Sequence, residues 1–289
     1  MTFAASSGSG SPASAKAPPS LVAEEDAWHA QRIARLTAED GWLTLVGLHW
    51  LEEGDNTAGS AKDAQVPLPA SLPAKFGKFT RKGEQVTFTP APGVDVTLDG
   101  RPFRGGALKT DRQGAPDVLR AGTVQLLVIV RGDRVGVRVR DAASGVRRRF
   151  RGIDRFPVSA EWRKEARFEP APKGTTVSIT NVLGQVEQVP LAGDVVLSHE
   201  GKEYRLEAVE EDGGLFIVFG DLTNRDTTYP AGRFLQADAP KDGKVILDFN
   251  RAYNPPCAFT AFATCPLPTK KNRLPFRVEA GEKRFGDHS

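Results

Sequence analysis

A polar, proline-rich loop is the part of this sequence whose residue types could do chemistry. It reads LDFNRAYNPPCAFTAFATCPLP over residues 247–268. Asp248 and Asn250 end the strand-like run GKVILDFN, where alternation places both side chains on one face. A rigid loop at a strand end can present ligand-binding groups. We therefore predict Asp248 as a general acid or base, with Asn250, Tyr253 and Asn254 binding substrate.

The same polar residues also have a purely structural interpretation. Asp and Asn side chains often cap backbone amides or form Asx-turns at the ends of strands. Capping alone rarely needs so many polar groups in one place, which favours a site. Both interpretations stay open at the level of sequence.

Other charged residues are candidates for completing this site. Glu282, in the segment EAGEK, is the candidate acid–base partner of Asp248, and Lys283 follows it as a substrate-binding residue. Arg163 and Arg233 would supply positive charge for an anionic or carboxylate substrate.

A second carboxylate follows the buried run LFIVF. Asp221 would face Asp248 if their strands are neighbours, and paired carboxylates shift one another's pKa in the way that acid–base catalysis uses. The alternative is that the two residues cap separate loops.

Cys257 and Cys265 are eight residues apart, which is neither a C-x-x-C metal spacing nor a redox pair. Two buried thiols that pack as small hydrophobes are favoured over a disulfide that pins the loop. A nucleophilic cysteine would need a histidine base, for which His49 is the candidate. An ordinary half-buried histidine is the favoured interpretation of His49.

Several common functional motifs are missing from the sequence. It has no Walker loop, dinucleotide fingerprint, G-x-S-x-G or H-E-x-x-H motif. Metal binding through Asp248, Asp221 and Glu282 would need only oxygen ligands, but no spacing rule supports it. The sequence therefore predicts no cofactor and no metal.

Composition narrows the class of protein and partner. The 289 residues are 39% hydrophobic and 26% charged, as in a soluble globular protein with two domains. The net charge is only +3, and the densest basic run, RRRFR, is typical of a solvated face, so no nucleic-acid partner is expected. No apolar window reaches membrane length, so no membrane partner is expected either. A small-molecule ligand is possible, and a protein partner stays unknown.

The N-terminal residues and the two cysteines bear on location. Residues 1–19 are rich in Ala, Ser, Gly and Pro and lack a basic region followed by an apolar core, which predicts a disordered tail instead of a signal peptide. Two closely spaced cysteines are too few for a secreted disulfide framework. Cytoplasmic residence is the resulting expectation.

The remaining patterns predict the secondary structure. Residues 20–47 read as a helix and linker, with Trp28 packing onto a β domain. TVQLLVIV is long enough for a strand buried on both faces, and RGDR turns it into VGVRVR. In that second strand the valines are predicted to face inward, with Arg138 and Arg140 facing water. A domain boundary is expected over residues 141–152.

Residues 48–140 resemble a forkhead-associated (FHA) β-sandwich, on the segments LEEGDNTAGSAKDAQVPLP, GEQVTFTPAPGVDVTLDGRPF and LRAGTVQLLVIV. The family's Gly-Arg loop is Gly59-Ser60 here, and its Ser-x-x-His motif is matched by SLPA, without histidine. The resemblance implies an FHA-like sandwich without phosphothreonine recognition, because the groups that would grip the phosphate are missing.

The longer region from Trp28 to Lys283 resembles the DUF1684 family, whose function is unknown. The residues that carry the match are GWLTLVGLHWLEEGDNTAGS, AGRFL and LDFNRAYNPPCAFTAFATCPLPTKKNRLPFRVEAGEK. Thr269 is a small departure, because the family usually has a second proline there. The resemblance implies a fold and brings no activity with it.

Together these patterns predict a mainly β protein. An N-terminal helix precedes the FHA-like β-sandwich, and residues 150–289 form a second β domain of barrel or sandwich type that carries the proline-rich loop. The favoured function is a hydrolase-type enzyme acting on a small polar or anionic molecule. The alternative is a non-catalytic binding or interaction module that uses the FHA-like sandwich without phosphothreonine recognition.

Overall fold

The computed structural model of the chain describes residues 17–286. The predicted disordered tail, residues 1–19, therefore lies outside the described residues except at its last three positions. Helix α1 spans Pro19–Thr37 and helix α2 spans Gly145–Arg149. Pro19 suits the first helical turn, where its missing N–H group has no intrahelical partner to lose.

The described helices include none with both the length and the apolar character that a membrane span requires.

Strands of the first half form two sheets packed face to face. In chain order they are β1 (Leu45–Trp50), β2 (Gly54–Gly59), β3 (Val66–Pro67), β4 (Gly77–Lys82), β5 (Gln85–Pro90), β6 (Thr97–Leu98), β7 (Arg101–Pro102), β8 (Gly106–Leu108), β9 (Val118–Ala121), β10 (Val124–Arg131) and β11 (Arg134–Asp141). One sheet has the order β1-β11-β10-β9-β6-β7 and the other has the order β3-β2-β4-β5-β8. Phe79 and Phe88, in tilted ring contact, lie fully buried in the core between them. The first half is thus a β-sandwich, as predicted.

The β10–β11 hairpin agrees with the sequence prediction on one face and departs from it on the other. The two strands pair antiparallel along their whole length, and the valines of β11 are fully buried in the sandwich core. Arg138 is only 7% exposed, so the prediction that it faces water is wrong. Arg140 is half-buried. The reason is that the second half of the chain covers the outer face of this sheet, where Leu127 and Ile129 are also buried.

The second half is a curved sheet with a small separate hairpin. Its strands are β12 (Arg163–Pro170), β13 (Thr176–Thr180), β14 (Val186–Pro190), β15 (Gly193–His199), β16 (Lys202–Glu211), β17 (Gly214–Phe219), β18 (Arg233–Ala237) and β19 (Lys244–Asp248). The large sheet has the order β18-β17-β16-β15-β12-β19, and β13 pairs with β14 alone. A bridge between Phe234 and Tyr253 brings its two edges together. This half-barrel, with the N-terminal helix and the sandwich, confirms the predicted mainly β fold.

Helix α1 is docked on the second half of the chain. Leu36 packs against Ala258 and Phe259, and the Trp28 ring lies 6.4 Å from the Tyr253 ring. Polar contacts of Glu24, Glu25 and Arg32 extend this docking along the helix.

Arg32 and Glu282 form the buried ion pair at the centre of this contact, at 3.2 Å between Nε and Oε1. Substituting Arg32→Ala would leave the Glu282 carboxylate buried without its cation. We expect the free energy of unfolding to fall by about 3–5 kcal/mol, measured by urea denaturation.

Lys78→Ala is the matched control, because its pair with Asp55 is exposed. It should cost less than about 1 kcal/mol. Equal losses of unfolding free energy in the two variants would contradict a larger contribution of the buried pair.

Candidate functional site

Asp248 lies buried at the end of β19, opposite Arg163 of β12. Its Oδ1 accepts hydrogen bonds from the backbone N–H and the side-chain amide of Asn250, at 3.0 and 2.8 Å. Its Oδ2 has no hydrogen-bond partner among the described residues. Arg163 Nε lies 3.6 Å from that oxygen. One oxygen of Asp248 therefore has the predicted capping role, and the other is available.

The arginines beside Asp248 are held by carboxylates of α1. Glu24 accepts two hydrogen bonds from Arg163, at 2.7 and 3.2 Å, and these lower the pKa of Glu24. Glu25 is fully buried and accepts from both Nε and Nη2 of Arg251. Burial raises the pKa of Glu25, and the nearby charge of Asp248 acts in the same direction. The positive charges predicted to hold an anionic substrate are here engaged within the protein.

Asp248, Arg163 and Arg251 line a cavity of about 430 Å³ together with Trp28 and the turn that joins β16 to β17. We call this cavity the Asp248 pocket. Asn250 fixes the Ser159 segment instead of lining it, since its amide donates to Ser159 O at 2.9 Å.

Glu282 belongs to a different network. Its Oε1 accepts from Arg32, and its Oε2 accepts from the backbone N–H of Asn254 at 2.7 Å. The Asn254 amide donates to Lys283 O, also at 2.7 Å. The Arg32 guanidinium lies 4.6 Å from the centroid of the Tyr253 ring, and burial raises the pKa of Tyr253. These contacts join α1, the proline-rich loop and the C-terminal segment.

The structure does not bring Asp248 and Glu282 together as an acid–base pair. Helix α1 reaches the Asp248 network through Glu25 and the Glu282 network through Arg32. These helix positions are seven residues apart, a rise of about 10 Å.

Arg233 and Asp221 form a third, fully internal pair, at 2.9 Å between Nη2 and Oδ2. Arg233 also donates to the carbonyl oxygens of Val278 and Ala280. Asp221 Oδ1 accepts from the N–H and hydroxyl groups of Thr223, so it caps a turn and does not face Asp248. Both side chains are closed to solvent.

A larger cavity than the Asp248 pocket lies elsewhere, between the two β halves. It measures about 670 Å³ and runs from the β10–β11 hairpin past the β13–β14 hairpin to the cysteine loop. We call it the interdomain groove. Its apolar walls include Val130, Val177, Ile179, Val189, Phe216 and Val218.

Arg138 is the charged group buried in the wall of this groove. Its Nε has no hydrogen-bond partner, and no carboxylate of the described residues lies within ion-pair distance of it. The Trp42 ring lies 5.2 Å from its guanidinium carbon. Burial, together with the charges of Arg131 and Arg140, lowers the pKa of Arg138 to about 10. Neighbouring Arg131 is paired with Asp111 at 2.6 Å.

Sequence reasoning missed Arg138, although a signal was present. The continuous apolar run of β10 predicts a strand buried on both faces. Because β11 is its hairpin partner, the outer face of β11 must be at least partly covered by the same element. The alternation of VGVRVR was instead interpreted as a solvated face.

Cys257 and Cys265 are free cysteines, as favoured from the sequence. The Cys257 backbone N–H donates to Cys265 Sγ at 3.1 Å, and Cys265 lines the groove. A hydrogen bond shared between the thiols lowers the pKa of Cys257 and raises that of Cys265. His49 lies against Gly47 in the sandwich and hydrogen-bonds the backbone of Pro67.

No group of three or more histidine, cysteine or carboxylate side chains suited to a metal ion occurs within residues 17–286.

Fold and cavities together define a mainly β protein with a small-molecule-sized groove between its halves. Residues 148–283, just under half of the chain, match the model of the family described as "Protein of unknown function (DUF1684)". This match agrees with the resemblance seen in the sequence. No curated protein matches the chain.

Solved structures are similar to parts of the chain. An uncharacterised protein of Haloarcula marismortui is 28% identical, with 49% of this chain and 81% of that chain covered and a TM-score of 0.41. The FhaA FHA domain, solved with the intracellular domain of Rv3910, is 20% identical over 32% of this chain and 97% of its own, with a TM-score of 0.23. An FHA domain from work on phosphothreonine-dependent interactions has the same identity and TM-score, with 92% of its chain covered. No function is transferred from these likenesses.

Two half-buried histidines predict a pH dependence of stability. Burial lowers the pKa of His29, on α1, and of His49 below the ordinary value of about 6.5. As the pH falls through that value, the unfolded chain takes up protons that the folded chain does not, so these histidines reduce stability at acid pH.

We therefore expect the free energy of unfolding to fall less steeply between pH 7 and pH 5 in a His29→Gln, His49→Gln double variant than in the unmodified chain. Urea titrations at each pH measure the difference. Glu169 and Asp226, whose pKa values lie at about 2, lose their ionised-state contribution at lower pH and do not confuse the comparison. If the free energy of unfolding fell equally with pH in both proteins, the attribution of this pH dependence to His29 and His49 would be wrong.

Proposed function

We propose that this protein binds a small anionic molecule with an apolar body in the interdomain groove. The observation that carries the proposal is the guanidinium of Arg138, buried in the wall of the groove without a carboxylate partner.

A buried charge without a partner is costly, because the interior does not replace the water that solvated it. Arg138 keeps its charge at neutral pH, since its pKa of about 10 is still well above 7. A ligand carboxylate or phosphate would offset this cost with charge-assisted hydrogen bonds. Arg131 lies nearby but already has Asp111 as its partner.

The walls of the groove indicate what the rest of the ligand is. They combine strand residues of β13, β14, β17 and β18 with the apolar part of the cysteine loop, so an alkyl or aromatic body would be buried there. Of the carboxylates that line the groove, Asp111 is paired with Arg131, whereas Glu187, Glu210 and Glu211 are exposed and Glu207 accepts from the Thr269 hydroxyl. An anionic head at Arg138 and an apolar tail along the hairpin fit this distribution.

A hydrolase-type activity with Asp248 as its base has less support. Its predicted partner Glu282 belongs to a separate network that docks α1, and Arg233 is closed to solvent. These contacts support ligand binding over catalysis.

Decanoate is a suitable probe for the groove, with 1-anilinonaphthalene-8-sulfonate as a fluorescent competitor. Substituting Arg138→Met keeps an apolar side chain of similar length and removes the charge. We expect it to weaken decanoate binding at least about tenfold in titration calorimetry, because a hydrogen bond to a charged group contributes about 1.5–3 kcal/mol. The ligand-free variant should melt no lower than the unmodified protein, since no buried pair is broken.

Arg134→Met is the matched control, because Arg134 lies on the same strand but is exposed over the Trp50 ring. It should leave decanoate affinity unchanged. Failure of decanoate to displace the fluorophore, or equal affinity in Arg138→Met and unmodified protein, would refute the proposal.

A further inference from the structure

We infer that the Asp248 pocket is a second binding site, for a small organic cation that carries at least two protonated amino groups. This inference does not depend on the proposed function of the groove, because the two cavities share only the exposed Glu211 and neither Asp248 nor Arg138.

The first observation is the free oxygen of Asp248. Asp248 is 6% exposed and lines a cavity of about 430 Å³, and its Oδ2 accepts no hydrogen bond from the described residues. A buried carboxylate oxygen without a donor is costly, and a ligand in the adjoining cavity can supply one.

The neighbouring arginines do not supply that donor. Arg163 Nε is 3.6 Å from Oδ2, beyond ordinary hydrogen-bond distance, while both of its terminal nitrogens donate to Glu24. Arg251 donates to Glu24 and Glu25. These two arginines and two glutamates balance one another in charge, and the charge of Asp248 remains.

Further carboxylates border the same cavity. Glu211, Asp212 and Asp238 line it, and no lysine does. Their side chains form no ion pair with a described lysine or arginine, and Glu211 accepts from the neutral amide of Gln236. The pocket therefore has an excess of negative charge, which attracts a cation and disfavours the anionic substrate expected from sequence.

The shape of the pocket defines the class of cation. Asp248 lies at the end of β19, whereas the other carboxylates lie on the β16–β17 turn and after β18, so negative charge is present at more than one place. Trp28 also lines the cavity, and an ammonium group is attracted to the face of such a ring. An unpartnered acceptor calls for an N–H donor, which a primary amine has and a quaternary ammonium lacks. A linear diamine or polyamine carries separated positive charges, can contact an aromatic ring and has N–H donors.

Titration calorimetry of the full chain with putrescine and with spermidine tests the inference. We expect saturable binding of one molecule that weakens as salt is added, and no binding of succinate, a dianion of similar size. Asp248→Asn keeps the acceptor for the Asn250 amide and removes the charge, and it should weaken amine binding at least about tenfold. Asp95→Asn, at an exposed position of the sandwich, is the matched control and should bind as the unmodified chain does.

A second variant decides the matter if Asp248→Asn does not fold. Asp212 and Asp238 are exposed, so the double change to asparagine leaves the core untouched and should still weaken amine binding several-fold. Arg138→Met should have no effect on it. Absence of binding at millimolar amine, or binding that the double change leaves unaltered, would overturn the inference.

Discussion

The ion pair between Arg32 and Glu282 is the contact on which the arrangement of the second half depends. It is buried, and it connects a helix near the start of the described chain to a segment near its end. The backbone of Asn254 shares both partners, donating to Glu282 and accepting from Arg32. A charge pair in such a place is stabilising only when its remaining hydrogen bonds are satisfied, and here the proline-rich loop satisfies them. The rigid prolines hold the loop where this is possible.

The buried charges of the molecule separate into two kinds. Arg32 with Glu282 and Arg233 with Asp221 have their partners within the chain, and they join elements that are distant in sequence. Arg138 Nε donates no hydrogen bond and Asp248 Oδ2 accepts none among the described residues, and both residues line cavities. Paired charges explain the architecture, whereas unpaired ones carry a cost that a ligand of opposite charge can offset. The two cavities consequently favour ligands of opposite sign.

Much of the candidate site could be predicted from the sequence, but not which of its residues lie close together. The spacing in GKVILDFN correctly places Asp248 at a strand end, and the Asx interpretation describes its Oδ1. Sequence does not contain the distance between Asp248 and Glu282, and helix α1 contacts the networks of these residues at points two turns apart. Nothing local in the sequence reveals that Glu24 and Glu25 hold Arg163 and Arg251.

The sequence by itself determined the mainly β class, the N-terminal helix and the β10–β11 hairpin, because period-two alternation and turn residues act between neighbours along the chain. It also determined that the valines of β11 enter a core. Only the tertiary structure decided that Arg138, on the opposite face of that strand, is buried as well. Alternation states which residues share a face, but what covers that face depends on contacts between segments far apart in sequence. Here the second half of the chain covers it and turns a predicted surface arginine into the wall of a groove.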